Sequence, residues 1–509
     1  MGVLTETVRC AARPRWDPRR EPCVPVFTGD GTRELVGLVD ALRRAGELSG
    51  LAVTTPGETV ALLEYLLAIC YAAQGAAAGP ETPARAAEWL DTRPDDQWDL
   101  FHPTEPLGQN SLLAPYLDEH GTGPAQLVIE RAGDYNQFFD HHHLDRTEPL
   151  PAAAAFRAML AQHAYGPGGR ARVSGKETLG PTLTNLGLGR LAARIRVVAL
   201  GPTLQDTLLL NLLPLDGDGA GTFNHTWTVS PTPRRGFRVK PRGRSTDGPA
   251  DLHSVLGRSI LLRPVAAGGQ LAVDRVLLAA GELLTDPPAR DAVYPRGEDE
   301  PLRPSATRAF WREAHALYAA VANRREGDLY DRVARHSGTK VTLWAVGLIT
   351  RHTSVVTWVS DTFPFVRGRE RELRYAAERG SHIAEYIAAC LSRAAYVAWT
   401  VTYPNPKPSD KADQLARFDA GPEYWMYAAV PFHVLLEETS AAPAKADLDE
   451  ALVAYAADLA REARRFLNQR LDSLPATSRG YRTRVRATRL LDAGLTGLKA
   501  PDELKGKRA

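Results

Sequence analysis

Cysteine is scarce in this 509-residue chain: Cys10, Cys23, Cys70 and Cys390 are scattered, and none forms a CxxC pair. So few thiols exclude a disulfide framework, and a reducing cytoplasm fits best. Long apolar runs are missing too. The N-terminal MGVLTETVRCAARPRWDPRR has no apolar core of signal-peptide length, and the most apolar early run, VALLEYLLAICYAA, is too short to span a bilayer and carries Glu64. No membrane role is expected. Neither charge dominates: 62 Lys and Arg oppose 60 Asp and Glu, a net of +2. Any attraction to nucleic acid must therefore come from local clusters. Most of the cations are arginines, which suit bidentate phosphate contacts. A GxSxG elbow, a supported Cys/His pair and a carboxylate cluster at helical spacing are all lacking, which argues against catalysis.

At 44% hydrophobic the chain can bury a sizeable core and should divide into two or more domains. Residues 1–20 read as a flexible basic tail, followed by EPCVPVF, where two prolines forbid helix. GTRELVGLVDALRRAGELSGL and GETVALLEYLLAICYAAQ space their apolar residues as two amphipathic helices. QWDLFHPTEPLGQN reads as an ordered loop, and PAAAAFRAMLAQHAY as a helix. From RIRVVAL onward, DTLLLNLLPL, SILLRPV, LAVDRVLLAA and VTLWAVGLIT read as strands or short helices of a mixed sheet. After residue 368 four long helical stretches follow, separated by YPNPKPSD, SAAPAK and LPATSRG. In the third, Leu448, Leu452, Tyr455, Leu459 and Phe466 share one stripe. The expected fold is α+β: a large mixed α/β domain over 21–368, then a C-terminal four-helix bundle over 369–509.

Four stretches could carry function. YGPGGRARVSGKETLGP, residues 165–181, packs five glycines and three cations directly after a helix. It is not a phosphate loop: five residues separate Gly169 from Gly175, and Glu177 follows Lys176 where Ser or Thr is needed. FFDHHHLDR invites a metal, but neighbouring histidines point apart, so at best His141, His143 and Asp145 converge, and no second ligand set follows. RRGFRVKPRGR holds Arg234, Arg235, Arg238, Lys240, Arg242 and Arg244 around Phe237 with no acid between them. That run suits a phosphate backbone, or a solvated loop. In GLITRHTSVVTW, a β-rich run turns at Arg351, His352 and Thr353, and such a tip could sit beside or between bases.

EPCVPVF, WDLFHPTEP, AGDYNQFFDH, QHAYGPGG, DTLLLNLLPL, HTW and EYWMYAAVPFHVLLEE resemble, in that order, the large subunit (CasA family) of the type I-E CRISPR surveillance complex Cascade. The similarity covers nearly the whole chain. It implies that the loop Gly166, Pro167, Gly168, Gly169 and Arg170 enters the minor groove of the duplex flanking the target, the protospacer-adjacent motif. A stretch without Cβ atoms suits such close approach, with Arg170, Arg172 and Lys176 on adjoining phosphates. The resemblance further implies a strand wedge at Arg351, His352 and Thr353, with histidine where glutamine is often found, and contacts of Tyr135, Asn136, Gln137 and Phe138 to the guide RNA's 5′ handle.

The implied role is non-catalytic, without cofactor: a motif reader that starts R-loop formation, after which base pairing reads the sequence. Implied partners are the backbone, small and 5′-handle-binding Cascade subunits, CRISPR RNA, double-stranded target DNA and a recruited helicase-nuclease. The bundle would meet the small subunits and the displaced strand. Two departures stand out. Paired zinc-binding cysteines of some relatives are absent, and a minor-groove lysine has only Arg290 as a candidate counterpart. The competing reading is a metal-dependent nuclease or phosphohydrolase built on His141 to Asp145.

Overall fold

The computed structural model describes residues 13–73, 79–131, 148–170, 185–215, 219–227, 243–285, 287–294, 300–336, 341–351, 354–441 and 445–506. The proline-bearing EPCVPVF supplies strand β1 (Val24–Thr28), which needs partners on both edges. It finds them in β2 (Arg33–Val36) and β3 (Leu48–Leu51), both antiparallel. The first expected amphipathic helix is therefore broken into strand, short helix Leu38–Arg43 and strand. Gly37 makes the turn between them: a Cβ there would lie 2.4 Å from the Arg19 carbonyl oxygen.

The basic tail is not loose from Arg13 onward. Trp16 packs in the core, and the Arg19 guanidinium is wholly buried between Asp17, Asp95 and the carbonyls of Leu90 and Arg93. Full pairing is what permits a cation to leave water. The second expected amphipathic helix, Pro56–Ala73, is buried on nearly all sides instead of one.

QWDLFHPTEPLGQN is an ordered loop, and its polar residues are structural. Asp99 accepts from the N–H groups of Trp16 and Phe101. Gln109 bridges Leu100 and Leu262, and Asn110 reaches Ser259. The HTW motif closes on the same loop, with the Trp227 N–H on the Gln109 carbonyl at 3.1 Å.

Two long hairpins follow. β8 (Arg258–Ala267) and β9 (Gln270–Ala280) turn at Gly268 and Gly269, both at positive φ (58° and 79°), as a two-residue turn with the strand's own twist requires. The short β4 (Leu150–Pro151) lies on the other edge of β9. β10 (Val341–Arg351) pairs with β11 (Ser354–Phe365), and β7 (Arg196–Leu200) lies on the other edge of β10. Alternation along β10 divides its side chains. Val341, Leu343 and Ala345 join a core shared with the C-terminal helices, whereas Val346 and Leu348 join the N-terminal core with helices Pro56–Ala73 and Ala152–Tyr165.

The C-terminal helices Glu370–Thr402, Gly421–Ala441, Lys445–Asp472 and Ser478–Thr496 pack on one another, the first touching each of the others. The stripe Leu448, Leu452, Tyr455, Leu459 and Phe466 is buried, as its spacing predicts. Apolar packing does not stop at residue 368, because Phe363 and Phe365 of β11 lie in the core of these helices. Cys23, Cys70 and Cys390 are free and buried, and Cys10 lies outside the described residues. No helix of the described residues is long and apolar enough to cross a membrane.

Candidate nucleic-acid interface

Helix Ala152–Tyr165 delivers the chain into the glycine loop, and its last turn is tethered. Gln162 donates to the Leu127 carbonyl at 2.9 Å, and the His163 ring pairs with the Gly108 carbonyl at 2.9 Å. The loop is not uniform. Gly166 is buried: its Cβ would fall 2.6 Å from Nε and Nη2 of Arg258, so glycine is needed there for packing. Gly168 and Gly169 are part-exposed, and a Cβ on Gly168 would meet only Leu188 side-chain carbons at 3.3 and 3.4 Å and the Leu186 carbonyl oxygen at 3.7 Å. The loop then starts β5 (Gly169–Arg170), paired with β6 (Asn185–Leu186) on the return leg. Gly169 has φ 147°, inside the range that favours glycine. Of Arg170 only the backbone is described, and Arg172 and Lys176 lie outside the described residues.

The return leg is pinned by charge. The Gly189 N–H donates to the Gly166 carbonyl at 2.8 Å, and the next residue, Arg190, pairs with Glu64. Glu64 also meets Arg196 at 3.0 Å and Nδ1 of His253 at 2.7 Å. Burial alone would raise this carboxyl, but Arg190, His253 and Arg196 together hold it well below the usual carboxylate range. Asp291 extends the network to Arg194 and Arg196, and it too is held low against burial by those two guanidinium groups.

The hairpin exists as read: the β10–β11 ladder runs out to Arg351 opposite Ser354, and the two residues between, His352 and Thr353, lie outside the described residues. Four pairs in from the end of the ladder, Trp358 of β11, opposite Leu348, stands edge-on to Tyr165, the residue before Gly166, with ring centroids 4.9 Å apart. Its Nε1–H donates to Glu130 at 2.7 Å, two residues before the stretch that holds Tyr135, Asn136, Gln137 and Phe138. Those four residues, and His141, His143 and Asp145, lie outside the described residues. Gly57 leaves space for the indole, since a Cβ there would fall 2.1 Å from it.

Of the basic run, Arg234, Arg235, Arg238, Lys240 and Arg242 lie outside the described residues; Arg244 does not serve phosphate. Its guanidinium binds both oxygens of Asp251, at 2.5 and 2.7 Å, and Glu282 at 2.8 Å, so its charge is already matched within the protein. The run nevertheless ends beside the loop. Arg244 bridges to Leu284, and Leu283 fills the space where Gly187, on the return leg, would carry a Cβ. Arg290 is not brought to the loop. It donates to the Pro214 carbonyl and lines a separate cavity of about 240 Å³ with Tyr71, Arg196, His253 and Asp291. Among the described residues no group of three or more His, Cys, Asp or Glu could hold a metal.

One cationic surface escaped the sequence reading. On helix Ser478–Thr496, Arg479, Arg482, Arg486 and Arg489 are exposed at i, i+3, i+7 and i+10, one face of the helix. None meets a carboxylate among the described residues. Tyr481, 57% exposed, stands beside them. The signal was the spacing of arginines in SRGYRTRVRATR, hidden by the apolar stripe on the opposite face.

The family profile of CRISPR-associated protein Cse1 matches residues 20–466. A CRISPR-associated protein CasA/Cse1 of Thermus thermophilus is 27% identical over 414 residues, 72% of this chain and 77% of that protein. The crystal structure of a Thermus thermophilus CasA superposes with a TM-score of 0.72 at 19% identity, covering 94% of this chain and 99% of that one. A chain of a CRISPR RNA-guided surveillance complex superposes with a TM-score of 0.67 at 20% identity, covering 94% of this chain and 100% of that one. With matched motifs running through both cores and a family profile spanning most of its length, the chain belongs to the Cse1 (CasA) family, the large subunits of the type I-E Cascade.

Proposed function

We propose that this chain is the non-catalytic, motif-reading subunit of an RNA-guided surveillance complex in the cytoplasm. It docks on the CRISPR RNA and the backbone, small and 5′-handle-binding subunits. It offers the part-exposed Gly168–Gly169 backbone to the minor groove flanking a target and parts the strands with the tip of the β10–β11 hairpin. Finally, it provides the landing site for a helicase-nuclease. The observation that carries the reading is the junction at Trp358. The outer part of the hairpin, the last helical residue before the glycine loop, and Glu130 at the entry to the 132–147 stretch meet on one indole. The hairpin turn lies five to six residues before Trp358 in the chain, roughly 15–20 Å at the rise of a strand. A duplex lying along the loop would thus meet the tip a few base pairs below the motif.

The arginine face of helix Ser478–Thr496 extends about 15 Å at 1.5 Å per residue and suits the displaced strand, with phosphates on the arginines and a base on Tyr481. The remaining cations of 234–242 add phosphate contacts indifferent to sequence.

Gly168→Asp tests the reading, because a Cβ there would press only on the flexible Leu188 side chain, at 3.3 Å, and the fold should survive. Assembled complex carrying this variant is expected to lose binding to motif-bearing duplex in a mobility-shift assay, with an unchanged melting curve. Retained binding would remove the loop from the interface. Labelled duplex incubated with the chain and Mg²⁺, Mn²⁺ or Zn²⁺ should stay intact. Cleavage that disappears in a His141→Ala, His143→Ala variant would replace this reading with a nuclease.

A further inference from the structure

Arg258, the first residue of β8, is 1% exposed, yet among the described residues no carboxylate pairs with it. The other deeply buried arginines differ: Arg19, Arg190, Arg194 and Arg196 each meet Asp or Glu. An unmatched buried cation is costly and needs a reason. Burial lowers its pKa to about 10, which still leaves it charged at neutral pH. Its hydrogen bonds go to main chain: Nη1 donates to the Gly257 carbonyl at 3.0 Å and Nη2 to the Pro167 carbonyl at 2.7 Å, while Nε meets no partner among the described residues. It also lies at the C-terminal end of helix Ala152–Tyr165, whose last carbonyls carry partial negative charge.

The Pro167 bond has a geometric consequence. The peptide between Pro167 and Gly168 is trans, so its N–H points opposite to its C=O. With the carbonyl turned inward onto Arg258, the Gly168 N–H is turned away from it. Among the described residues that N–H meets no acceptor. A cation on the carbonyl also polarises the peptide and strengthens the N–H as a donor.

We infer that Arg258 is the positioning residue of the glycine loop: by gripping the Pro167 carbonyl it aims a polarised Gly168 N–H outward, to hydrogen-bond an acceptor on the minor-groove edge of a base pair. The unmatched charge is retained because a carboxylate there would turn the guanidinium away from the carbonyl. Gly166 is part of the device, since any side chain at 166 would displace Arg258. This inference rests on the proposed reading of the loop as a DNA-facing element.

The test compares two targets on assembled complex: a motif-bearing duplex, and a single strand complementary to the guide, which needs no motif reading. Arg258→Met keeps the bulk of the side chain and removes the donors. It should weaken duplex binding by about 10- to 100-fold, the worth of a charge-assisted hydrogen bond, with single-strand binding unchanged. Arg258→Lys, a cation with one point donor, should recover part of the loss, which a role in packing alone would not produce. Gly166→Ala, which keeps the arginine but displaces its guanidinium from the Pro167 carbonyl, should reproduce the selective duplex defect. Should Arg258→Met fail to assemble, Gly166→Ala decides, and wild-type duplex binding by that variant overturns the inference. If Gly168→Asp abolishes duplex binding while Arg258→Met and Gly166→Ala do not, only the role of Arg258 fails. If Gly168→Asp binds normally, the loop reading itself fails.

Discussion

The C-terminal helices and the glycine-loop scaffold are held together by different physics. Between the helices, Leu452, Leu459, Phe432 and Leu435 interdigitate, and Gly380 lets two helices close until a Cβ there would be 3.0 Å from a Leu435 methyl. Around the loop the ties are a buried charge network, main-chain bonds between distant segments, and glycines at Gly166, Gly189, Gly257 and Gly281 where no side chain fits. The helices can lose a contact locally and keep their surface. The loop scaffold transmits a lost contact to the element it aims.

Substitutions can break or sharpen that contrast. The largest effect is expected at Glu64, whose loss leaves Arg190 and Arg196 without their shared carboxylate. Glu64→Ala should cost about 3–5 kcal/mol in urea unfolding and should also abolish duplex binding. Because the native carboxyl is held below its ordinary value, its contribution is present above that value, 4.5, and is lost as pH falls through the lower native one. Acid titration should therefore unfold the wild type in that window, and Glu64→Gln should flatten the profile.

Leu452→Ala should cost roughly 2–5 kcal/mol, yet the molecules that remain folded should bind duplex like wild type. Equal binding defects in the Glu64 and Leu452 variants would erase the contrast. Gly189→Ala puts a Cβ 2.6 Å from the Ala164 carbonyl oxygen and should cost about 1–3 kcal/mol, with a duplex defect larger than that of Leu452→Ala. The smallest stability effect is expected from changing Arg482, Arg486 and Arg489 to Gln, within about 0.5 kcal/mol. The salt dependence of displaced-strand binding should meanwhile fall by about 2 in log–log slope. An unaltered slope would return that face to solvation.

The same contrast explains what could be read from the sequence. Four helical stretches between breakers located the C-terminal helices, and β-rich runs marked β8, β9 and β10 as strands or short helices, with β11 as the run returning past Thr353, because those signals lie within single elements. The loop and the hairpin were placed by motif order. What could not be read were the ties: Arg258 to Pro167, Arg190 to Glu64 and Trp358 to Tyr165 join residues far apart in the chain, and no local pattern encodes them. Glu64 alone left a trace, as the single carboxylate in an apolar run. The first amphipathic helix was misread because Gly37 and the edges of β1 outweighed local spacing, and the basic tail because Arg19 finds its carboxylates at Asp17 and, seventy-six residues on, Asp95. Arg244 was misread for a related reason, its partners being Asp251 and Glu282.

The charge network beneath the loop also carries a thermal signature. Hydration of ions becomes less favourable as temperature rises, so keeping Glu64, Asp291 and their arginines out of water grows easier on heating, whereas the gain from oily contact levels off. Warming should therefore loosen the helical half first, leaving the loop scaffold gripped while the exposed arginine face of helix Ser478–Thr496 begins to fray.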